Sequence, residues 1–398
     1  MKTTRNKYRR TSKPKLKIGL KLILAWPIGM SILLTSGCTS NILYLPPPDH
    51  PSTAFEELLT NAVNEFELPG VQAGYQISGQ LPVLAASGTY DLKHNETRIH
   101  SEHSFHVGST TKMIMAALIM HMIEQGNLRL NDTIDQWFPD YQGASCITIL
   151  QLLNHTSGIE ESMFKNVWIL IVTTLNKNKI WDAEEVMDRL WKPNKLIAES
   201  DRSFIYSNNN YILLGIIAEK IYGISLSDIL NREFFSPLEM YHTALMPGSG
   251  ESAIQLVPGY DEYIPFGPHR IGPDNKSWDS LSFAAGGIVS NSADLLILMD
   301  ALFRGDLLAE DSISRMMEWT DSRDNGRDDA MIGYGLGLAL YQLGDKQLIG
   351  HPGGGFGGEC FPFWSPETDN TYVVMYNLSR KDNPAGKELL KRIMELGK

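Results

Sequence analysis

The stretch that most constrains the fold is residues 109–125, STTKMIMAALIMHMIEQ, followed by Gly126. Between Ser109 and Ile123 there is one charge, Lys112, at the head of an otherwise apolar run. Apolar side chains fall on every side of a helical period rather than along one stripe. The segment therefore predicts a helix buried in the middle of the molecule and closed by glycine. A chain of 398 residues is long enough for a sizeable core, as one large domain or two intertwined ones. Hydrophobic content of 43% and charged content of 20% are ordinary for a globular protein.

Elements on either side of this helix follow two periods. FEELLTNAVNEF (55–66) predicts an amphipathic helix, and 70–92 reads as two strands joined by a turn at Gly79. ITILQLLNHTSG (147–158) predicts a helix with a glycine stop, and 160–235 reads as mostly helical. Residues 241–280 are loop-rich, and SADLLILMDALF (292–303) predicts a helix with a serine cap. The tail then changes to strands, YGLGLALYQLG, KQLIGHPGGG, GECFPFWS and TYVVMYNLS, before a last helix, PAGKELLKRIMEL. Strands at both ends with helices between imply an α+β fold. Its antiparallel sheet comes from both chain ends (55–125 and 281–398), with a mostly helical domain inserted (126–280).

The first 37 residues stand apart. Nine basic residues and no acid precede LILAWPIGMSILL (22–34) and then TSGC (35–38), the pattern of an export signal. Thr-Ser-Gly-Cys resembles a bacterial lipobox with Cys38 as the acylated residue, although leucine is more usual where Thr35 stands. A retained signal anchor is the other reading; the short run and Pro27 speak against it. Either way the expectation is an exported protein tethered to a membrane of the bacterial cell envelope, with residues 38–54 as a proline-rich tether. Without residues 1–37, 26 of the 35 basic residues and all 46 acids remain, a net charge of −20. That disfavours nucleic acid and anionic lipid head groups as partners. The two remaining cysteines, Cys146 and Cys360, allow one disulfide or two buried thiols.

Ser109 and Lys112, three apart, share a helix face. Ser109 in the first turn lies at the positive end of the helix dipole, and burial disfavours a charged lysine. Such a pair can act as nucleophile and base. It can equally be a capping serine beside a snorkelling lysine, and Ser12 and Lys15 repeat the spacing in the leader.

The surrounding motifs decide between these. FHVGSTTKMI (105–114) resembles the active-site helix of the serine β-lactamase and penicillin-binding-protein superfamily. ITILQLLNHTSGI, YSNNNYILLGIIAEKIYG (206–223), FFSPLEM (234–240), AAGGIVSNSADLL (284–296) and GHPGGG (350–355) resemble successive landmarks of class C β-lactamase-like serine hydrolases. They occur in order from about residue 55 to the end. The resemblance implies a β-lactamase/transpeptidase-like fold and acyl transfer without a cofactor. Ser109 would be the nucleophile, Lys112 its base and Tyr206 a proton-exchanging partner. The backbone amides of Ser109 and Gly354 would form the oxyanion hole, and Asn208, His351 and Gly353 would meet the substrate.

Two departures bear on substrate. Pro352 and His351 stand where the family often has Lys-Thr-Gly, so fixed capture of a carboxylate is weaker. That favours an esterase or amidase acting on a small molecule or peptide over an efficient β-lactamase or a strict D,D-carboxypeptidase. A non-catalytic, penicillin-binding-like cell-wall sensor is the rival of a different class. The Pro-Gly that often precedes the tyrosine is also missing from ESDRSFIYSN, which puts the approach to Tyr206 in question. Segment 161–191 is unusually apolar, either a helix packed inside the helical domain or a wall admitting acyl or lipid-like groups. No metal-spaced set of His, Asp and Glu occurs, and GGGFGG (353–358) lies between strands rather than opening a helix, which argues against a nucleotide site.

Overall fold

The computed structural model describes residues 53–191, 203–262, 269–272, 275–305, 307–323, 328–355, 357–380 and 382–397. The leader 1–37, Cys38 and all but the end of the tether lie outside the described residues. Chain order begins α1 (Thr53–Glu65), β1 (Gly70–Gln76), β2 (Val83–Asp91), β3 (His94–Arg98), β4 (Phe105–His106) and α2 (Thr111–Glu124). There follow α3 (Ile149–Leu153), α4 (Val167–Leu175), α5 (Ala183–Leu190), α6 (Asn208–Tyr222), α7 (Leu226–Leu230), β5 (Ala244–Leu245), β6 (Gly259–Asp261) and β7 (His269–Ile271). Next come α8 (Lys276–Gly286), β8 (Ile288–Ser290), α9 (Ser292–Phe303), α10 (Glu310–Met316), β9 (Thr320–Asp321), β10 (Met331–Tyr334) and β11 (Ala339–Leu343). The chain closes with β12 (Lys346–Gly350), β13 (Gly353–Gly355), β14 (Gly358–Ser365), β15 (Asn370–Tyr376), β16 (Leu378–Ser379) and α11 (Ala385–Leu396).

One antiparallel sheet joins the two ends of the described chain in the order β3-β2-β1-β15-β14-β12-β11-β10-β9, with β13 also on β14. The seam is β1 against β15, registered from Val71 opposite Tyr376 to Gln76 opposite Thr371. Period-two alternation divides the core. Val373 and Met375 of β15 pack with α2, α6 and α9, while Tyr372, Val374 and Tyr376 pack with α1 and α11. From α1, Phe55, Leu59 and Ala62 reach the second core at helical spacing, and α11 adds Leu389, Leu390 and Ile393.

Helix α2 is enclosed, as its composition requires: eleven of its residues are buried, Lys112 among them. It touches α6 and α8.

Several local expectations change. The helix expected over 147–158 is only five residues. Thr148 and Gln151 form a capping box at its start, and the chain turns out at His155, where φ is 60°. Residues 334–344 are not one strand, because Gly335 N–H bonds Leu338 O at 2.8 Å in a turn between β10 and β11. Asn291, not a serine, caps α9, its side chain accepting from Asp294 N–H at 2.8 Å. Among the described residues Cys146 and Cys360 form no disulfide, and Cys146 is exposed rather than buried.

Candidate active site

Four residues, Ser-Thr-Thr-Lys, build the centre of the site. Ser109 sits in a 3-10 turn, Gly108–Thr110, that leads into α2. Thr110 Oγ1 donates to His351 O at 2.8 Å, and Thr111 Oγ1 accepts from Ile288 N–H at 3.2 Å. The two threonines thus pin the turn to the β12–β13 link and to β8. Gly108 takes φ of +51°, and a Cβ there would lie 2.8 Å from Gly354 O. A Cβ on Gly353 would lie 1.9 Å from Val107 O and 2.8 Å from Ser109 N. Backbone therefore packs on backbone, and the amides of Ser109 and Gly354 come to one place.

Lys112 has no solvent exposure. Its Nζ lies 3.0 Å from Ser109 Oγ, 2.7 Å from Asn208 Oδ1 and 2.6 Å from Ala285 O. Asn208 Oδ1 and Ala285 O only accept, so they hold two N–H groups. The third position, on Ser109 Oγ, can be an N–H in the ammonium or the lone pair of the neutral amine. In the neutral form the serine proton has an acceptor within hydrogen-bond reach. Ala285 O owes its place to Phe283, whose non-helical φ/ψ of 38°/−130° kinks α8 just before it.

The approach to Tyr206 is held by His155. His155 O accepts from Ile205 N–H at 2.9 Å, and His155 Nδ1 accepts from Ser207 N–H at 3.2 Å. The His155 and Tyr206 rings lie against each other, tilted by 30°, with centroids 4.3 Å apart. Lys112 Nζ lies 5.0 Å from the centre of the Tyr206 ring. Ser207 is extended and α6 starts at Asn208, so Tyr206 and Asn208 both approach Lys112 across the cap of α6. Glu161 Oε2 accepts the Asn208 backbone N–H at 2.6 Å and so fixes the residue whose Oδ1 accepts from the lysine.

His351 is buried beside them. Its Nδ1–H donates to Pro352 O at 2.8 Å, and Nε2 lies 2.9 Å from the Tyr334 hydroxyl. The Tyr206 and His351 ring centres are 6.2 Å apart. Behind the Ser109 turn, His106 Nε2 lies 3.8 Å from Asp279 Oδ1. Burial lowers the His106 pKa to about 4 and raises that of Asp279 to about 7. A cleft of about 400 Å³ opens next to Asn209, lined in part by Glu161, Lys165, Trp168, Leu190 and Trp191. Segment 161–191 supplies most of that lining. Its helix α4 packs Ile169 and Thr173 inward, as a helix packed inside the helical domain does.

The structure thus brings Ser109, Lys112, Tyr206, Asn208, His351, Gly353 and Gly354 together. Sequence reasoning missed Glu161, His155, Tyr334 and the Ala285 carbonyl. His155 was visible only as part of NHTSG, and a carbonyl positioned by a helix kink has no side-chain signal.

A family model described as Beta-lactamase matches residues 55–395. The chain belongs to the Beta-lactamase family. Its fold is that of β-lactamases and transpeptidases. A penicillin-binding protein of Bacillus subtilis (strain 168) is 28% identical over 293 residues, 68% of this chain and 62% of that protein. Protein flp of Staphylococcus aureus (strain N315) is 25% identical over 232 residues, 57% of this chain and 44% of flp. The match therefore spans less than two thirds of either relative. Among solved structures, D-amino acid amidase from Ochrobactrum anthropi SV3, in complex with L-phenylalanine amide, superposes with TM-score 0.73 at 25% identity. That match covers 87% of this chain and 99% of the amidase. An octameric penicillin-binding protein homologue from Pyrococcus abyssi gives TM-score 0.72 at 21% identity, covering 86% and 77%, a likeness of fold.

Proposed function

We propose that this Beta-lactamase family hydrolase cleaves an amide or ester whose leaving side is uncharged, through an acyl-enzyme on Ser109. Lys112 takes the Ser109 proton as Oγ bonds to the substrate carbonyl carbon. The carbonyl oxygen becomes an oxyanion facing the amides of Ser109 and Gly354. Tyr206 passes a proton to the departing amine or alcohol as the C–N or C–O bond breaks. Water then attacks the acyl carbon, its proton returns through the same groups, and the acid is released. Asn208 and Gly353 position the substrate beside the lysine and along β13.

The observation that carries the substrate reading is His351. With Nδ1–H on Pro352 O and Nε2 within hydrogen-bond distance of the Tyr334 hydroxyl, both ring nitrogens are engaged inside the protein rather than presented to a substrate carboxylate. The likeness to a D-amino acid amidase supports the same class, an amino-acid amide. Intact-mass measurement after exposure to amino-acid amides and esters, D-Ala-D-Ala peptides and β-lactams tests it. Amides and esters are expected to be turned over, with any transient acyl mass mapping to Ser109. Rapid turnover of D-Ala-D-Ala peptides or β-lactams instead would replace this reading with the D,D-carboxypeptidase or β-lactamase one. A permanent stoichiometric adduct would point to the sensor, a reading that the similar penicillin-binding protein supports.

The same proposal places the enzyme in the cell envelope, anchored through acylated Cys38. Cys38→Ser is expected to release it from membranes; retention would favour the signal anchor.

A further inference from the structure

Helix α4 carries apolar residues on two opposite faces, and one of them is bare. Ile169 and Thr173 point into the protein, fully buried. Val167, Trp168, Ile171 and Leu175 are 67, 47, 51 and 81% exposed. At about 100° per residue these four fall within a single arc of roughly 100°. Ile180, just beyond the helix, is 59% exposed. A contiguous apolar stripe of this kind marks an interaction surface.

Charge says what kind. From Ser162 to Trp181 there is no acidic residue, while Lys165, Lys177 and Lys179 stand at the two ends of the helix. Outside residues 1–37 the chain carries a net charge of −20, so the surface at large disfavours anionic lipid and this acid-free, lysine-flanked stretch is the local exception. The neighbouring acids on α5 are engaged. Glu185 pairs with Lys179 and Arg189, Glu184 with Lys220, and Asp188 accepts the Tyr141 hydroxyl. Asp182 accepts from Glu185 N–H, and the Arg189 guanidinium lies 4.3 Å from the centre of the Trp168 ring. Apolar face, rim tryptophan and flanking lysines are the composition of a helix that lies in a lipid interface. No described helix is long and apolar enough to cross a membrane, and α4 has nine residues.

We propose that the exposed face of α4 beds into the surface of a bilayer containing anionic phospholipid, with Lys165 and Lys177 on headgroup phosphates. Trp168 lines the cleft beside Asn209 as well as this stripe, so docking sets that cleft at the lipid boundary. The proposal does not depend on which substrate Ser109 takes, nor on acylation of Cys38.

Hydrogen–deuterium exchange of the full chain, read by mass spectrometry, tests it. The chain is compared in mild detergent, on phosphatidylcholine vesicles and on vesicles with added phosphatidylglycerol. Exchange across Val167–Leu175 is expected to slow by about tenfold or more on the phosphatidylglycerol vesicles, and much less on phosphatidylcholine alone. The double variant I171S/L175S should lose that protection, and K177E, which like them lies outside the cleft lining, should weaken its dependence on phosphatidylglycerol. These positions are exposed and outside the catalytic set, so both variants should keep wild-type ester hydrolysis in detergent, which separates lost docking from lost folding. Unchanged exchange on both vesicle types, as expected if a protein is the partner, overturns the proposal. So does equal protection in concentrated lipid-free solution, which would mean pairing with a second copy.

Discussion

Lys112 is buried, and its contacts with Asn208 and Ala285 O bear directly on Ser109. Asn208→Ala removes one acceptor from a fully buried amine. The expected cost is about 2 kcal/mol of stability, with a fall in kcat larger than the change in KM. Thermal melts and ester kinetics on one preparation check both, and unchanged kcat would remove Asn208 from the mechanism. Ser109→Ala should abolish turnover while leaving the melt near wild type; residual activity at wild-type level would sink the acyl-enzyme. Two of the three glycines of β13 separate cleanly. Gly353→Ala puts a methyl 1.9 Å from Val107 O and must push β13 off the Ser109 turn, whereas Gly354→Ala meets nothing nearer than Glu359 Cγ at 3.5 Å. Activity is expected to collapse in the first and largely survive in the second; the reverse order would contradict the placement of β13. Most of this centre was legible in the sequence, because Ser-x-x-Lys, Tyr-x-Asn and His-Pro-Gly name their residues. The Ala285 carbonyl and the clamp on Tyr206 were not. The first depends on backbone angles at Phe283, and the second on a histidine fifty-one residues from the tyrosine it holds.

Helix α8 brings Asp279 to His106 behind the nucleophile, and the pair gives the molecule a pH signature. Asp279 titrates at about 7 in the folded state, above its ordinary 3.8. The folded state therefore binds more protons, and the stability Asp279 contributes is full below about pH 4 and lost as pH rises to about 7. His106, lowered to about 4, has the opposite sign: stability rises between its folded pKa and its ordinary 6.5. The two slopes largely cancel in the wild type over pH 4–6.5. Lys276 and Glu251, also facing Asp279, act in opposite directions on it. Asp279→Asn keeps the shape and removes one slope. The difference between variant and wild type should grow in the variant's favour from pH 4 to 7, by on the order of 4 kcal/mol at most. Melts from pH 4 to 8 read this directly, and a constant offset across that range would count against a titrating Asp279. Nothing in the sequence marked this pair, since His106 and Asp279 lie 173 positions apart and meet only through β4, β8 and the end of α8.

At the scale of the whole molecule, the chain's two ends share one sheet, and this much followed from strand periods before α2 and after α10. The inserted helices were also visible, but their lengths were not, because capping and a left-handed residue at His155 stop α3 where the apolar pattern continues. Sharing a sheet ties the site to the far end of the chain. Helix α11 packs Leu389, Leu390 and Ile393 on the face of β14 and β15 opposite α2, and β14 carries β13 along the nucleophile. Loosening α11 should therefore disturb the site without touching it. Leu389→Ala opens a cavity in a fully buried position and is expected to cost about 2–5 kcal/mol. Because β1, β14, β15 and α11 form one packed unit, activity and near-ultraviolet circular dichroism should be lost over the same, lower temperature range. Activity that outlived the packing signal would show that β13 holds its place without the sheet beneath it, and that the seam between β1 and β15 is not what couples the chain ends to Ser109.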